Sequence, residues 1–262
     1  MKSRSVRIAT RGSRLAQWQA ERVGARLGGA VEYVFVRTTG DADQTSDLHL
    51  IGGQGVFVKE VQQAVLHGRA DIAVHSAKDL PAVTPAGLVL AAIPERADAR
   101  DALVGATLAA LPTGALIGTG SVRRRAQLAH ERPDLSFGAL RGNIETRLKK
   151  RDSEGFDAVV VAYAALQRLD LADHATDVLE PAVMLPQVAQ GALAVECRTD
   201  DRATAAKLRA IDDTIAHRGV RAERAFLAEL GGGCNLPCGA LAVVAGDEIT
   251  LDAVLASLDG HV

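Results

Sequence analysis

Aromatic residues make up only 3% of this 262-residue chain: one Trp, two Tyr and five Phe. So few rings leave little surface for stacking bases, which weighs against a single-strand nucleic-acid module. Positive charge is not in excess either, since 30 Lys and Arg stand against 32 Asp and Glu. A general nucleic-acid binder shows a strong basic surplus. Three cysteines, Cys197, Cys234 and Cys238, are too few and odd in number for a disulfide framework. No second Cys or His pair lies near Cys234 and Cys238 to complete four zinc ligands, so no metal is expected. No apolar run approaches a membrane span, and Met1-Lys2-Ser3-Arg4-Ser5-Val6-Arg7 has no apolar segment behind its charges. These absences predict a cytoplasmic protein with neither membrane nor nucleic-acid partner.

What is present suits a globular chain with a sizeable core. Hydrophobic residues reach 48% and charged ones 24%, and the length suits about two domains. Short apolar strands alternate with helical patterns. Val6 to Thr10, Val31 to Arg37, Asp71 to His75 and Leu88 to Ile93 read as strands of a first unit. Ser13 is placed to cap a helix whose stripe runs through Leu15, Trp18, Val23 and Leu27. From about Asp98 the pattern repeats, with strands near Ala115 to Gly118, Leu135 to Ala139 and Asp157 to Ala162. Gly191 to Cys197 reads as a strand returning into one of the sheets, with Cys197 a buried, inert thiol. Strands alternating with helices imply largely parallel sheets covered on both faces. After Ala203 come two helices, a glycine loop, and strands at Ala240 to Ala245 and Glu248 to Ala256. Ile249, Leu251, Ala253 and Leu255 alternate like a half-buried strand with an open edge, as in a fragment or a covered sheet.

Basic charge is concentrated locally. Between Thr119 and Arg151 nine Lys or Arg face three acidic residues, Glu131, Asp134 and Glu145. Three turns at expected strand ends pair arginine with a small polar residue: Arg11-Gly12-Ser13, Thr119-Gly120-Ser121-Val122-Arg123-Arg124, and Arg141-Gly142-Asn143 followed by Arg147. Helix N-termini there present free N–H groups, and guanidinium forks grip carboxylates in parallel hydrogen bonds. One such turn is ordinary solvated surface; three at equivalent strand ends point to a ligand with many carboxylates.

A fourth strand end differs. His75-Ser76-Ala77-Lys78-Asp79-Leu80-Pro81 puts a carboxylate among cations at the exit of a buried strand. Asp79 reads either as a turn aspartate bonding its own backbone or as an ionised group that stabilises positive charge on a substrate. His75 reads as a satisfied core histidine. Near the C-terminal end, Gly231-Gly232-Gly233-Cys234-Asn235-Leu236-Pro237 presents a thiol behind three glycines, a place where a cysteine can carry something.

Taken in order, Arg7-Ile8-Ala9-Thr10-Arg11 with Ser13, Ala73 to Pro81, Gly118 to Arg124, Leu140-Arg141-Gly142-Asn143, Gln190-Gly191-Ala192 and Gly232-Gly233-Cys234 resemble the porphobilinogen deaminase family over nearly the whole chain. The resemblance implies a fold of class α/β: two periplasmic-binding-protein-like (type II) domains with crossing strands, plus a small, truncated α+β C-terminal domain. It divides the chain into 1–94 with 190–210, 95–189, and 211–262. It implies a monomeric transferase that joins four porphobilinogen molecules head to tail, releasing ammonia, on a dipyrromethane cofactor held by thioether to Cys234. Asp79 then stabilises the azafulvenium ion formed as the amine leaves. Lys78, Ser121, Arg123, Arg124 and Gly191 match cofactor-binding positions. Arg11, Ser13, Thr119, Arg141, Arg147, Arg168 and Gln190 match substrate-binding ones. The chain departs from the family at Gln54, where lysine is usual in a somewhat longer loop, at Gly120 in place of serine, and at Arg14 in place of proline. A non-catalytic anion-binding protein of the solute-binding fold is the rival reading.

Overall fold

A computed structural model describes residues 5–38, 55, 57–231, 236–257 and 259. The loop containing Gln54 lies outside these, as does Cys234, the residue expected to carry the cofactor. Two compact units emerge, one built on 1–96 with 192–234 and 244–248, the other on 97–191 with 235–243 and 249–262.

The first unit holds a five-stranded sheet in the order β2-β1-β3-β10-β4. Its strands are β1 (Val6–Arg11), β2 (Val31–Val36), β3 (Ile72–Ser76), β4 (Leu88–Ala92) and β10 (Leu193–Arg198). The first two pair in parallel with β3 beside them, and β10 enters antiparallel between β3 and β4. Period-two alternation feeds two cores at once, as a sheet covered on both faces requires. Ile8, Ile72, Val74 and Val195 pack with Ala20 and Val23 of helix α1 (Arg14–Leu27). Ala9, Val36 and Ala73 turn to the other face, against Val61, Ala64 and Val65 of helix α2 (Lys59–Leu66). Cys197 is fully buried in the first of these cores, and burial pushes its thiol up to about 11, so it is unreactive at neutral pH.

The second unit repeats this order with its own strands, β7-β6-β8-β5-β9. These are β5 (Asp101–Val104), β6 (Leu116–Gly118), β7 (Ser136–Gly138), β8 (Ala158–Ala162) and β9 (Asp177–Leu179). Here β5 is the antiparallel intruder, between β8 and β9. Helices α3 (Val122–Glu131), α4 (Ile144–Ser153) and α5 (Tyr163–Arg168) follow β6, β7 and β8. The two-sheet α/β architecture expected from the sequence is therefore present, with β10 returning to the first sheet from beyond the second. Two strands, β5 and β9, were not foreseen, being four and three residues long and each opening on an aspartate.

Helices α6 (Arg202–Leu208) and α7 (Thr214–Glu229) precede a two-stranded sheet of β11 (Cys238–Ala245) and β12 (Glu248–Leu255). The alternation along β12 does not give the half-buried strand expected: Ile249, Leu251 and Leu255 are exposed, because β11 is its one neighbour in the sheet among the described residues. No described helix is long and apolar enough to cross a membrane.

Candidate active site

In the first unit the expected residues converge. Arg11 at the end of β1, Ser13 at the start of α1 and Asp79 line one open pocket with Phe57, His75 and Ser76. A single 3-10 turn, Ala77–Asp79, follows β3, and its tight geometry swings Lys78 and Asp79 out of the sheet while Ala77 stays buried. The Ala77 amide donates to the Ala192 carbonyl, 3.0 Å, fixing the turn to the strand beside it. The Arg11 guanidinium lies over the Phe57 ring, 4.3 Å from its centroid, which orients the cation without neutralising it. Buried Gln19 donates from Nε2 to Ser76 Oγ at 2.8 Å.

Asp79 is half-buried, yet among the described residues its carboxylate accepts no hydrogen bond. A turn aspartate that bonds its own backbone would show one; none is present among the described residues, and Asp79 lines the pocket instead. Ser13 does accept, from the Ala16 amide at 3.3 Å, as a helix N-cap. His75 is buried as expected but is not satisfied: its Nε2 makes no hydrogen bond.

The second unit gathers the other group. Asp101, fully buried at the start of β5, accepts from Arg123 Nη2 at 2.7 Å, from Arg124 Nη2 and Nε at 2.7 and 3.1 Å, and from Gln190 Nε2 at 2.9 Å. Arg123 also donates to the Leu185 carbonyl and Arg124 to that of Val160, 2.7 and 3.0 Å. Burial works against ionisation of Asp101, but the two guanidinium charges outweigh it and hold the carboxyl well below the usual range. Both arginines are buried, so this pair is braced inside the unit instead of lying open at a strand end. Sequence reasoning missed Asp101, because an aspartate opening a four-residue apolar run carries no motif.

Thr119 and Ser121 stand at the N-terminus of α3, where Thr119 Oγ1 accepts from the Ser121 amide at 3.2 Å and Ser121 Oγ from that of Arg124 at 3.5 Å. At Gly120 a Cβ would stand 2.8 Å from the Leu140 carbonyl oxygen, so a serine at this position would force that backbone aside. Asn143 caps α4 through the Thr146 amide at 2.8 Å, and Arg147 Nε donates to the Gly142 carbonyl at 2.8 Å. Arg168 is buried, donates to the Gly191 carbonyl at 2.6 Å, and is lowered to about 10 by burial, still cationic at neutral pH.

Gly191 serves the backbone. With φ of +85° it sits where side chains are strained, and a Cβ would meet the Ala97 carbonyl oxygen at 2.4 Å. Gly191→Ala is expected to lower stability by about 1 to 3 kcal/mol, read as a shifted urea midpoint; a midpoint equal to the parent's would contradict this account.

An acid-rich group fits this donor set. Arg141, only partly buried, keeps an Nη1 with no hydrogen-bond partner among the described residues; the unpartnered Nε of Arg123 is sealed inside the unit and adds nothing to this fit.

Comparison with known proteins decides the family. The pattern described as "Porphobilinogen deaminase, dipyromethane cofactor binding domain" matches residues 6–206, and "Porphobilinogen deaminase, C-terminal domain" matches 218–262. The chain belongs to the porphobilinogen deaminase family. A porphobilinogen deaminase of Syntrophotalea carbinolica is 47% identical over 268 residues, covering 99% of this chain and 85% of that protein. One from Roseiflexus sp. is 47% identical over 97% of this chain and 86% of its own, and one from Acidothermus cellulolyticus 48% over 97% and 80%. Membership in this family does not favour the non-catalytic anion-binding alternative. It also brings a dipyrromethane cofactor, since the first matched domain is the one that binds it.

Proposed function

We propose that this chain condenses porphobilinogen head to tail with loss of ammonia, four units per product, in tetrapyrrole biosynthesis. The observation that carries the reading is the pocket in which an unbonded carboxylate, Asp79, stands with Arg11 and Ser13 in a chain of this family. Arg11 and Ser13 take the carboxylates of the incoming pyrrole. Asp79 accepts from its ring N–H and stabilises the positive charge that develops as the amine departs, in a pocket where fixed charges act more strongly than in water. When bound, dipyrromethane supplies the pyrrole end on which growth begins. Cys234 carries it; Lys78, Ser121 and Gly191 are its proposed contacts, and Arg123 and Arg124, paired with Asp101, supply buried positive charge instead of open hydrogen bonds. Thr119, Arg141 and Arg147 hold the carboxylates of the growing chain, while Arg168 adds buried positive charge behind Gly191 and Gln190 acts through its bond to Asp101. The assignment of 1–94 with 190–210, 95–189 and 211–262 as three domains, and action as a cytoplasmic monomer, belong to the same proposal.

Denaturing mass spectrometry of the purified chain tests it. A mass exceeding the polypeptide's by two pyrrole units, mapped to the Cys234 peptide, is expected together with ammonia release from porphobilinogen. A bare polypeptide mass in protein that still consumes porphobilinogen would exclude the tethered group.

A further inference from the structure

Behind the Asp79 pocket lies a charge that the reaction as described does not use. Glu196 on β10 is fully buried, and its carboxylate accepts from Gln62 Nε2 of α2 at 3.1 and 2.8 Å. His75 Nε2, on the neighbouring strand β3, lies 3.3 Å from Glu196 Oε2, in a direction too oblique for a hydrogen bond. A buried carboxylate with one neutral amide donor is under-compensated, and a protonated imidazole beside it would remedy that. The same ring lines the pocket that holds Asp79. His75 therefore stands between a buried negative charge and the reacting space.

Among the described residues, few other charges face it. Arg11 from β1 and Asp79 from the turn share the pocket wall, while α1 and α2 contribute the neutral amides Gln19 and Gln62. Arg224 of α7 feels the charge of Glu196 but spends Nη2 on the Ala82 carbonyl and Thr84. No described guanidinium hydrogen-bonds Glu196, and of the two basic groups near it, Arg224 and His75, His75 is the one that lines the pocket.

We propose that His75 is a second proton-holding residue of the Asp79 pocket, and that Glu196 is the positioning residue that keeps it there. This rests on the reaction proposed above. In each condensation a C–N bond breaks and the nitrogen leaves with one added proton, while a C–C bond forms and the pyrrole carbon joined gives one proton up. The protons balance, but donation and acceptance fall at different moments. One carboxylate holds one proton; an imidazole in the same pocket holds the other until it is needed.

The test compares pH profiles of ammonia release from porphobilinogen in the holoenzyme, in His75→Gln and in Glu196→Gln, with thermal melting recorded for each. His75→Gln is expected to lower kcat by about 100-fold or more with KM little changed, and to lose one limb of the profile. Glu196→Gln, which keeps side-chain shape, should move that limb while retaining most of the rate. Profiles that superimpose on the parent's after scaling would overturn the proposal, whatever the rate, because a merely structural role changes rate and melting but not the shape. Should His75→Gln fail to fold, Glu196→Gln carries the decision alone. A parent that releases no ammonia defeats the functional reading itself; an active parent with unchanged variant profiles defeats only the role of His75.

Discussion

Asp79→Asn is expected to lower turnover by about three orders of magnitude while leaving the fold and the covalently attached mass proposed above intact. The side chains are nearly isosteric, and the carboxylate accepts no hydrogen bond among the described residues, so little stability depends on its charge. What disappears is the one acidic side chain on the described wall of a pocket that also carries Arg11 and His75. An amide places its dipole where the charge stood but cannot answer a full cation, nor can it pass a proton. Single-turnover ammonia release, with intact mass as the control for loading, separates the outcomes. Loss of the attached mass would move Asp79 from turnover to assembly of the holoenzyme, and unchanged turnover would remove its role.

The backbone plan was legible because strand and helix periods alternate cleanly in the chain. Ile8 and Ala9, or Ile72 and Ala73, declare two buried faces in two adjacent letters, and Ser13, Ser121 and Asn143 sit where helices begin. The same three residues show the limit of such reading. A small polar residue after a strand serves equally as an anion contact or as a cap, and here all three oxygens accept from backbone amides. Arg123 and Arg124 illustrate a second limit. Their place at a strand end suggested open cations, but the carboxylate that buries them comes from β5, a strand of four residues that neither period nor length distinguishes from a loop. His75 is a third, since a histidine within an apolar strand gives no hint that a buried glutamate 121 positions later in the chain stands opposite it.

Asp101→Asn should be the most damaging substitution of this kind for the fold. One buried carboxylate compensates two buried guanidiniums and a glutamine, and its replacement leaves two cations facing a neutral amide in the interior. Removing one partner of a buried ion pair costs about 3 to 5 kcal/mol, because the charge left behind keeps its desolvation penalty without the attraction that offset it. Urea unfolding at neutral pH is expected to show a loss of that size. Acid provides the internal control. The folded-state pKa of Asp101 is depressed relative to the unfolded value of about 3.9. Its stabilisation is thus complete above that value and drains away as pH falls through and below it toward the folded one. The gap between parent and variant should therefore be constant from neutral pH down to about 5 and narrow below about 4. A gap that stays constant into strong acid would show that shape, and not the charge of Asp101, holds Arg123 and Arg124 in place.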